Sequence, residues 1–550
     1  MPALTVQEAE RLRGSVMADR STWEPSWREI RDYMLPYYGR FPEDQPNRGD
    51  RRDSKILQNA AKMAIRTLSA GLLTGLTSPS RPWFRLGMAD PDMNEFATVR
   101  RWLDEVEKRM YAVFSGSNTY TALHSIYYEL AGFGTSCAFI HEDYEDVIRM
   151  RVYTIGEYAL GQDHRLQPDT VSRDVYMTAH QMVREFGEKN CSDNVRSREN
   201  NNRGHEWFPV RHLLLPNPEA QPGRRDYRGK PFLSVYWEPG QEKFLQQGGY
   251  EEFPAVCPRW ELISGDVYGK SPGWDTIGDA KMLQDMRGDS LEALDKLIDP
   301  PMAAPHSMRN EYLDLTPGGV SYLGTQEMQA GLRPLYQVNP DLVAIEQNIM
   351  ALTDRINKAF YVDMFLMLSQ VADQQKTAYE VAELTREKML MLGPAIEQQE
   401  HSLLKPLIER TFSIMERGGL IPPPPREVQG EALQVEYVSI LAQAQKAVAT
   451  TSIREWATVV ASLGQMFPDI LAKVNAPELA DQYGELLGVP SKIIRSDEEV
   501  EEITRAQQQQ QQVQQGMAAA QSGAQMAKDL SQAQVGNQNA LEAMFGEAAV

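Results

Sequence analysis

Along this chain the apolar positions change their period several times, and those changes mark its elements. Leu342, Ile345, Ile349, Leu352, Ile356 and Phe360 recur three or four residues apart, so they share one face of a helix. That helix opens with Asn339 as cap, Pro340 at the first helical position and Asp341 in the first turn. Carried to Phe365, it is about 39 Å long at about 1.5 Å per residue. An earlier helix begins at Ser271-Pro272, a capping residue followed by a proline already at helical φ, and stops at Asp299-Pro300-Pro301. Residues 300–339, between the two, hold Pro301, Pro305, Pro317, Gly318, Gly319, Gly324, Gly331 and Pro334 around short runs such as Val320-Ser321-Tyr322-Leu323. This spacing breaks any continuous helix and suits a small β-containing unit, and the insert is long for a linker. Two long helices flanking a compact insert make a stalk with a head.

Upstream, helical patterns dominate to about Tyr128, and after Gly132-Phe133-Gly134 the pattern shortens to strand-like runs. Cys137 to His141 and Ile148 to Tyr153 flank the acidic turn Glu142 to Asp146, and Gly156 to His164 and Pro231 to Gln247 add strands. Asn190 to Gly204 is polar throughout and reads as a surface loop. Residues 1–270 are therefore expected to form a mixed α/β region.

Downstream of the long helix, Met364 to Lys376 is apolar at its start and polar at its end. Phe365, Leu366, Met367 and Leu368 fit either a buried helix turn or the start of a slack loop. A new helix has its own start at Thr377, three residues ahead of Glu380 as in a capping box. It is expected to kink at Gly393-Pro394, to pass Pro406, and to end at Gly418-Gly419 before Pro422 to Pro425. Val435 to Gly484 reads as amphipathic helix with Trp456 and Leu471 in its core. After Ser496 the chain turns acidic and then Gln-rich, from Gln507 onward. That composition is either disordered or, since Ala and Gln are competent helix formers, a polar helix.

Composition narrows the function classes. A chain of 550 residues can bury several cores, and 42% hydrophobic with 24% charged residues describes an ordinary globular protein. No apolar run approaches the roughly 18 residues of a membrane span, and the polar start is no secretory signal. Cys137, Cys191 and Cys257 are widely spaced and odd in number, which suggests neither a disulfide framework nor a zinc site and fits synthesis in a reducing cytosol. The formal charge of −20 makes the chain as a whole repel DNA. Locally, Asp275, Asp279, Asp285, Asp289, Glu292, Asp295 and Asp299 face only Lys281, Arg287 and Lys296 in the first long helix. A solvated helix face explains these charges.

Catalytic signals are thin. Gly265-Asp266-Val267-Tyr268-Gly269-Lys270-Ser271 resembles a phosphate-binding loop, but only three residues separate its glycines where four are needed, and Pro272 removes a donor. Gly132-Phe133-Gly134 lacks the third glycine of a dinucleotide fingerprint, the histidines are scattered, and Cys137 reads as a strand cysteine. No cofactor and no catalytic constellation is expected, so the protein is read as structural rather than enzymatic.

Several stretches carry a resemblance: Trp23 to Tyr38, Leu68 to Leu86, Tyr176 to Gly187, Arg259 to Ser271 and Leu487 to Val500. Together with the helix, insert, helix, loop, long-helix order, they resemble viral portal proteins, and more closely the head-to-tail connectors of short-tailed, podovirus-type phages. The likeness runs over about residues 20 to 505 and resides in the order and spacing of these phrases. It implies a mixed α+β, mainly helical portal fold assembled as a ring. In that fold residues 1–270 are the wing, 271–299 and 340–365 the stem helices, and 300–339 the clip. Residues 366–376 are the tunnel loop, 377–420 the long wing helix, 421–505 the crown, and 506–550 a Gln/Ala-rich tail or barrel helix. The resemblance implies a homo-dodecamer at one capsid vertex, which would carry on the order of −240 formal charges, with duplex DNA passing non-specifically. The implied protein partners are the major capsid protein, a scaffolding protein, the terminase large subunit and tail adaptor or nozzle proteins. Asp285, Asp289, Glu292 and Asp295, with Leu368, Ser369, Gln370, Asp373, Gln374 and Gln375, would line the channel. The stripe from Leu342 to Phe360 would pack the stem. An adaptor or scaffold protein without a channel is the alternative, and a packaging ATPase the remote one.

Overall fold

The computed structural model describes residues 4–299 apart from a few positions, then 302–303, 333–334, 341–370, 392–428, 433–438 and isolated residues beyond. Residues 1–89 with 102–445 form one compact unit, and residues 90–101 with 446–550 form another. In the first unit, helix α1 (Val6–Ser21) starts at a capping box in which Thr5 and Glu8 satisfy each other's free amides. Then follow α2 (Glu24–Tyr33), α3 (Ala60–Leu76), strand β1 (Phe84–Met88), α4 (Ala97–Gly116), which belongs to this unit from Trp102 on, and α5 (Thr119–Phe133). Helix α5 ends at Gly134, whose φ of +84° and close approach to the Gly269 carbonyl leave no room for a Cβ.

Strands β2 (Cys137–Asp143) and β3 (Val147–Tyr153) make the expected hairpin around an acidic turn. With β9 (Ala255–Val256) they form a three-stranded sheet ordered β3-β2-β9. A five-stranded antiparallel sheet runs through β4 (Tyr158–Gln162), β5 (Pro168–Thr178), β6 (Trp207–Pro216), β7 (Phe232–Trp237) and β8 (Phe244–Tyr250) in that order. Alternation along β6 divides its side chains between two layers. Leu213 joins Val6 and Ala9 of α1 on one face, while Val210 meets α6 (Ala179–Phe186) and α7 (Asp193–Asn200) on the other.

Helix α7 corrects the expectation of a loop over Asn190 to Gly204. Its polar sequence hides a start signal, Ser192, whose hydroxyl caps the Val195 amide and donates to Glu238, and Val195 is fully buried. Strand β10 (Leu433–Tyr437) corrects the helix expected from Val435: it pairs with β1 from Phe84↔Tyr437 to Met88↔Leu433, so a long-range ladder overrides local propensity. Trp456 is half exposed rather than in a core, and Leu471 lies outside the described residues. Gly393 and Pro394 sit in a helix over 392–399, and the distortion falls instead on the π-turn Glu400–Leu404 ahead of Pro406. A proline leaves the carbonyl four residues before it without a donor, and a π-turn absorbs that defect. The following helix (Lys405–Arg417) ends as expected at Gly418-Gly419, with Gly419 at φ +66°. Of the Gln-rich end, Gln534–Val535 and Gln538–Asn539 pair as a short antiparallel ladder, neither helical nor unstructured.

Candidate functional site

The two long helices meet in the first unit, and their geometry follows from a few polar anchors. Helix α8 (Pro272–Ile298) has proline in its first turn, as expected, but Ser271 does not cap it through its side chain. The Ser271 hydroxyl donates to the Gly132 carbonyl at 2.7 Å, tying the helix start to the end of α5. Farther along, the buried Gln284 clasps the segment before α3: its carbonyl oxygen accepts from the Leu57 and Gln58 amides, and its Nε2 donates to the Gln58 carbonyl.

The partner helix α9 (Leu342–Ala359) corrects the expected start and length. Asp341, not Asn339, is the cap, because its carboxylate accepts the Ala344 amide at 3.0 Å; Asn339 and Pro340 lie outside the described residues. The helix also stops short of Phe365. Tyr361 adopts φ +55°, a left-handed conformation that ends the helix without any glycine or proline to announce it. Its 18 residues span about 27 Å. Helix α10 (Val362–Gln370) follows, so residues 366–370 of the expected loop are helical. Phe365 is buried against α3 where Gly71 stands, and a Cβ at Gly71 would run into its ring. Leu368, Ser369 and Gln370 thus lie on a helix, while Asp373, Gln374 and Gln375, like Thr377, fall outside the described residues.

Two ion pairs set the antiparallel register of α8 and α9: Arg287 with Glu346 at 3.3 Å and Arg355 with Asp279 at 3.6 Å. Ile349 and Leu352 between them, and Ile356 just beyond, turn inward and are buried, and Phe360 joins them just past the helix end. Leu342 and Ile345, toward the free end, are only half buried. The predicted stripe therefore packs at its base and loosens toward the insert. Of that insert, Met302–Ala303 and Arg333–Pro334 form a two-stranded antiparallel ladder, and the rest lies outside the described residues.

Asp285, Asp289, Glu292 and Asp295 are all exposed on α8. Glu292 binds Lys296 at 2.5 Å, and this contact holds its carboxyl below the usual range. At about 100° per residue these four acids occupy one side of the helix, and Leu291, Leu294, Leu297 and Ile298 occupy the other. All four apolar side chains are exposed, Ile298 at 73%, as are Val343 and Met350 on α9. Among the described residues, the C-terminal half of α8 thus bears an exposed acidic face and an exposed apolar face.

In the glycine loop before α8, the Gly269 amide is taken by Thr135 Oγ1 and the Lys270 amide by the Glu261 carbonyl. Those donors face the protein rather than a phosphate. His212 Nε2 lies 2.8 Å from Ser234 Oγ, a pairing that suggests a nucleophile. Both residues are buried, and the other ring nitrogen accepts from Arg173, a cation where an orienting carboxylate would be needed. Burial and Arg173 hold the His212 pKa well below its ordinary value, so the imidazole is neutral and structural. Among the described residues, no group of His, Cys, Asp and Glu is placed to hold a metal, and no helix is long and apolar enough to cross a membrane.

This arrangement belongs to a known class. The model of the bacteriophage head to tail connecting protein family matches residues 6–494. The chain is 40% identical over 530 residues to the probable portal protein of Bordetella phage BPP-1, covering 96% of each chain. It is 39% identical over 533 residues to the portal protein of Salmonella phage epsilon15, again covering 96% of each. Among solved structures, the virion of a native gene transfer agent particle aligns over 78% of this chain and 90% of that one, with 13% identity and a TM-score of 0.34, too distant to add to the assignment. The chain belongs to the phage head-to-tail connecting proteins, and its function is that of a portal connector.

Proposed function

We propose that copies of this chain close into a ring, about twelve in number as the family resemblance implies, at one capsid vertex of the virion. Duplex DNA enters and leaves through its centre. The observation that carries this reading is the double-faced outer half of α8. Exposed Leu291, Leu294, Leu297 and Ile298 offer apolar area that a neighbouring copy would cover, while Asp285, Asp289, Glu292 and Asp295 are left to face the lumen. A binding protein for DNA would present lysine and arginine there and gain affinity by releasing counterions. An acidic wall does the reverse and lets the duplex slide. Residues 300–339 would then project as the docking head, meeting the terminase large subunit during packaging and tail adaptor or nozzle proteins afterwards. Residues 1–270 would face the major capsid protein and, during assembly, a scaffolding protein. Residues 366–376, with Leu368, Ser369, Gln370, Asp373, Gln374 and Gln375 among them, would approach the duplex. The protein works by geometry and is not an enzyme, and it is made in the host cytoplasm before joining the virion.

The acidic face gives a direct test. Replacing Asp285, Asp289, Glu292 and Asp295 by lysine should leave rings intact yet make them retain duplex DNA. Filter retention should rise by at least about tenfold at low salt and fall steeply as salt is raised. Wild-type rings should release the duplex under the same conditions. Equal retention by both would place the acids away from the lumen.

A further inference from the structure

A buried pair of cysteines lies at the seam of β2 and β9, away from the helix pair. Cys137 opens β2, and Cys257 directly follows β9. The ladder pairs Ala138 with Val256 and Phe139 with Ala255, so continuing it sets Cys137 opposite Cys257. The Ser136 amide donates to the Pro258 carbonyl, which makes 136/258 a hydrogen-bonded pair, and alternation then makes 137/257 a non-hydrogen-bonded one. Such pairs bring their Cα atoms to about 4.5 Å, inside the range of roughly 4.4–6.8 Å that a disulfide spans. The two Sγ atoms stand 3.6 Å apart, both thiols are free, and both side chains are buried. The third cysteine, Cys191, packs in a different core with α6 and α7 and bonds to the Gly187 carbonyl.

We infer that Cys137 and Cys257 form a site of intramolecular disulfide formation, whose oxidant is a small-molecule disulfide of the glutathione class. A thiolate of one cysteine attacks a sulfur of the oxidant, breaking its S–S bond and expelling one thiolate. The second cysteine then attacks the mixed disulfide and expels the other. The two protein thiols lose two protons and two electrons in all, and the oxidant becomes two thiols. Strand β9 is a two-residue strand at the edge of its sheet, so local opening there exposes the pair without unfolding the rest. Burial raises the Cys137 thiol well above its ordinary range, which keeps the closed form slow to react. The dithiol suits a reducing cytosol; a connector carried in a released particle meets oxidising surroundings.

The bridge would span residues 137 to 257, a loop that holds the whole five-stranded sheet with α6 and α7. It would join the start of β2 in the three-stranded sheet to the segment leading into α8, where the Cys257 side runs on through Arg259 and the Lys270–Glu261 pairing. Closing so long a loop restricts the unfolded chain strongly. This inference depends on the ladder and the thiols, not on ring closure.

The experiment exposes the purified full-length protein to oxidised glutathione at rising temperature below unfolding, then alkylates in denaturant and maps peptides by mass spectrometry. The expected result is a Cys137–Cys257 linked peptide, a loss of 2 Da per chain, alkylation at Cys191 alone, and a thermal midpoint raised by several degrees and restored by dithiothreitol. The chains Cys257→Ala and Cys137→Ala should each lack the 2 Da loss. Continued alkylation of all three cysteines overturns the inference, as does a bridge that engages Cys191 or a 2 Da loss that persists in either alanine chain.

Discussion

Ile349→Asp is expected to abolish soluble, folded protein, whereas Met350→Asp, one residue away, should fold normally and fail to assemble. Ile349 is 2% exposed and lies between the two ion pairs that register α8 against α9. Truncating an aliphatic side chain in such a position costs about 2–5 kcal/mol, and an ionised, unpaired carboxylate adds several more. That sum is comparable with the whole stability of an ordinary domain. Ile349→Val removes one methylene and should cost about 1 kcal/mol, leaving rings intact. Met350 is 61% exposed, so a carboxylate there stays in water within the single chain. In a ring the same charge would meet the neighbour's apolar stripe. Sedimentation and circular dichroism of the three variants separate the effects: Ile349→Asp loses helix signal, Met350→Asp keeps it and sediments as monomer. A folded, ring-forming Ile349→Asp protein would refute the packing described for the helix pair.

The second large effect is a dependence on pH. Glu129 of α5 is fully buried, and desolvation pushes its pKa up to about 8 although Thr154 and the Ile155 amide both hydrogen-bond its carboxyl and pull the other way. The folded pKa lies above the unfolded value of 4.5, so the folded state binds the proton more tightly. The resulting stability is fully present below about pH 4.5 and is lost as pH rises toward about 8. Once the pH has passed through both values the loss is on the order of 5 kcal/mol, and the part between about pH 6 and pH 8 is roughly 2 kcal/mol. Glu107, raised to about 7 mainly by burial, acts in the same direction. Carboxylates held in ion pairs act oppositely at lower pH, so the absolute trend mixes both. The difference between wild type and Glu129→Gln isolates one group, since glutamine keeps an acceptor for Ile155 and cannot ionise. Thermal midpoints should show the wild type falling relative to Glu129→Gln from pH 6 to 9. Parallel profiles would mean that Glu129 is already ionised in the fold.

Much of the first unit was legible because its signals are local. Pro272 and Asp299-Pro300 bracket α8 closely, Gly418-Gly419 ends the helix before the proline run, and the β2–β3 hairpin follows from two runs around an acidic turn. What escaped depends on distant partners. Strand β5 carries Arg173 at a buried position, where Phe139 and Tyr153 rings and His212 receive it, so no alternation marked it as a strand. Strand β10 exists only because β1 offers its edge 345 or more residues earlier. The break at Tyr361 has no glycine or proline, and its left-handed turn is imposed by packing on α3. The candidate site divides the same way. The inner stripe of α9 was readable from period alone, whereas the Gln284 clasp and the Arg287–Glu346 and Arg355–Asp279 pairs needed the fold. The acidic side of α8 was visible in composition; only exposure showed that an equally uncovered apolar side stands opposite it.

The central claim is that this chain closes into a ring around a path for duplex DNA, and electron microscopy of the purified protein tests it most directly. Class averages over a range of salt should show closed rings of about twelve copies, with an axial hole wide enough for duplex and the α8 acids on its wall. A stable monomer, or a closed globule without an axial hole at every salt concentration, would contradict the account.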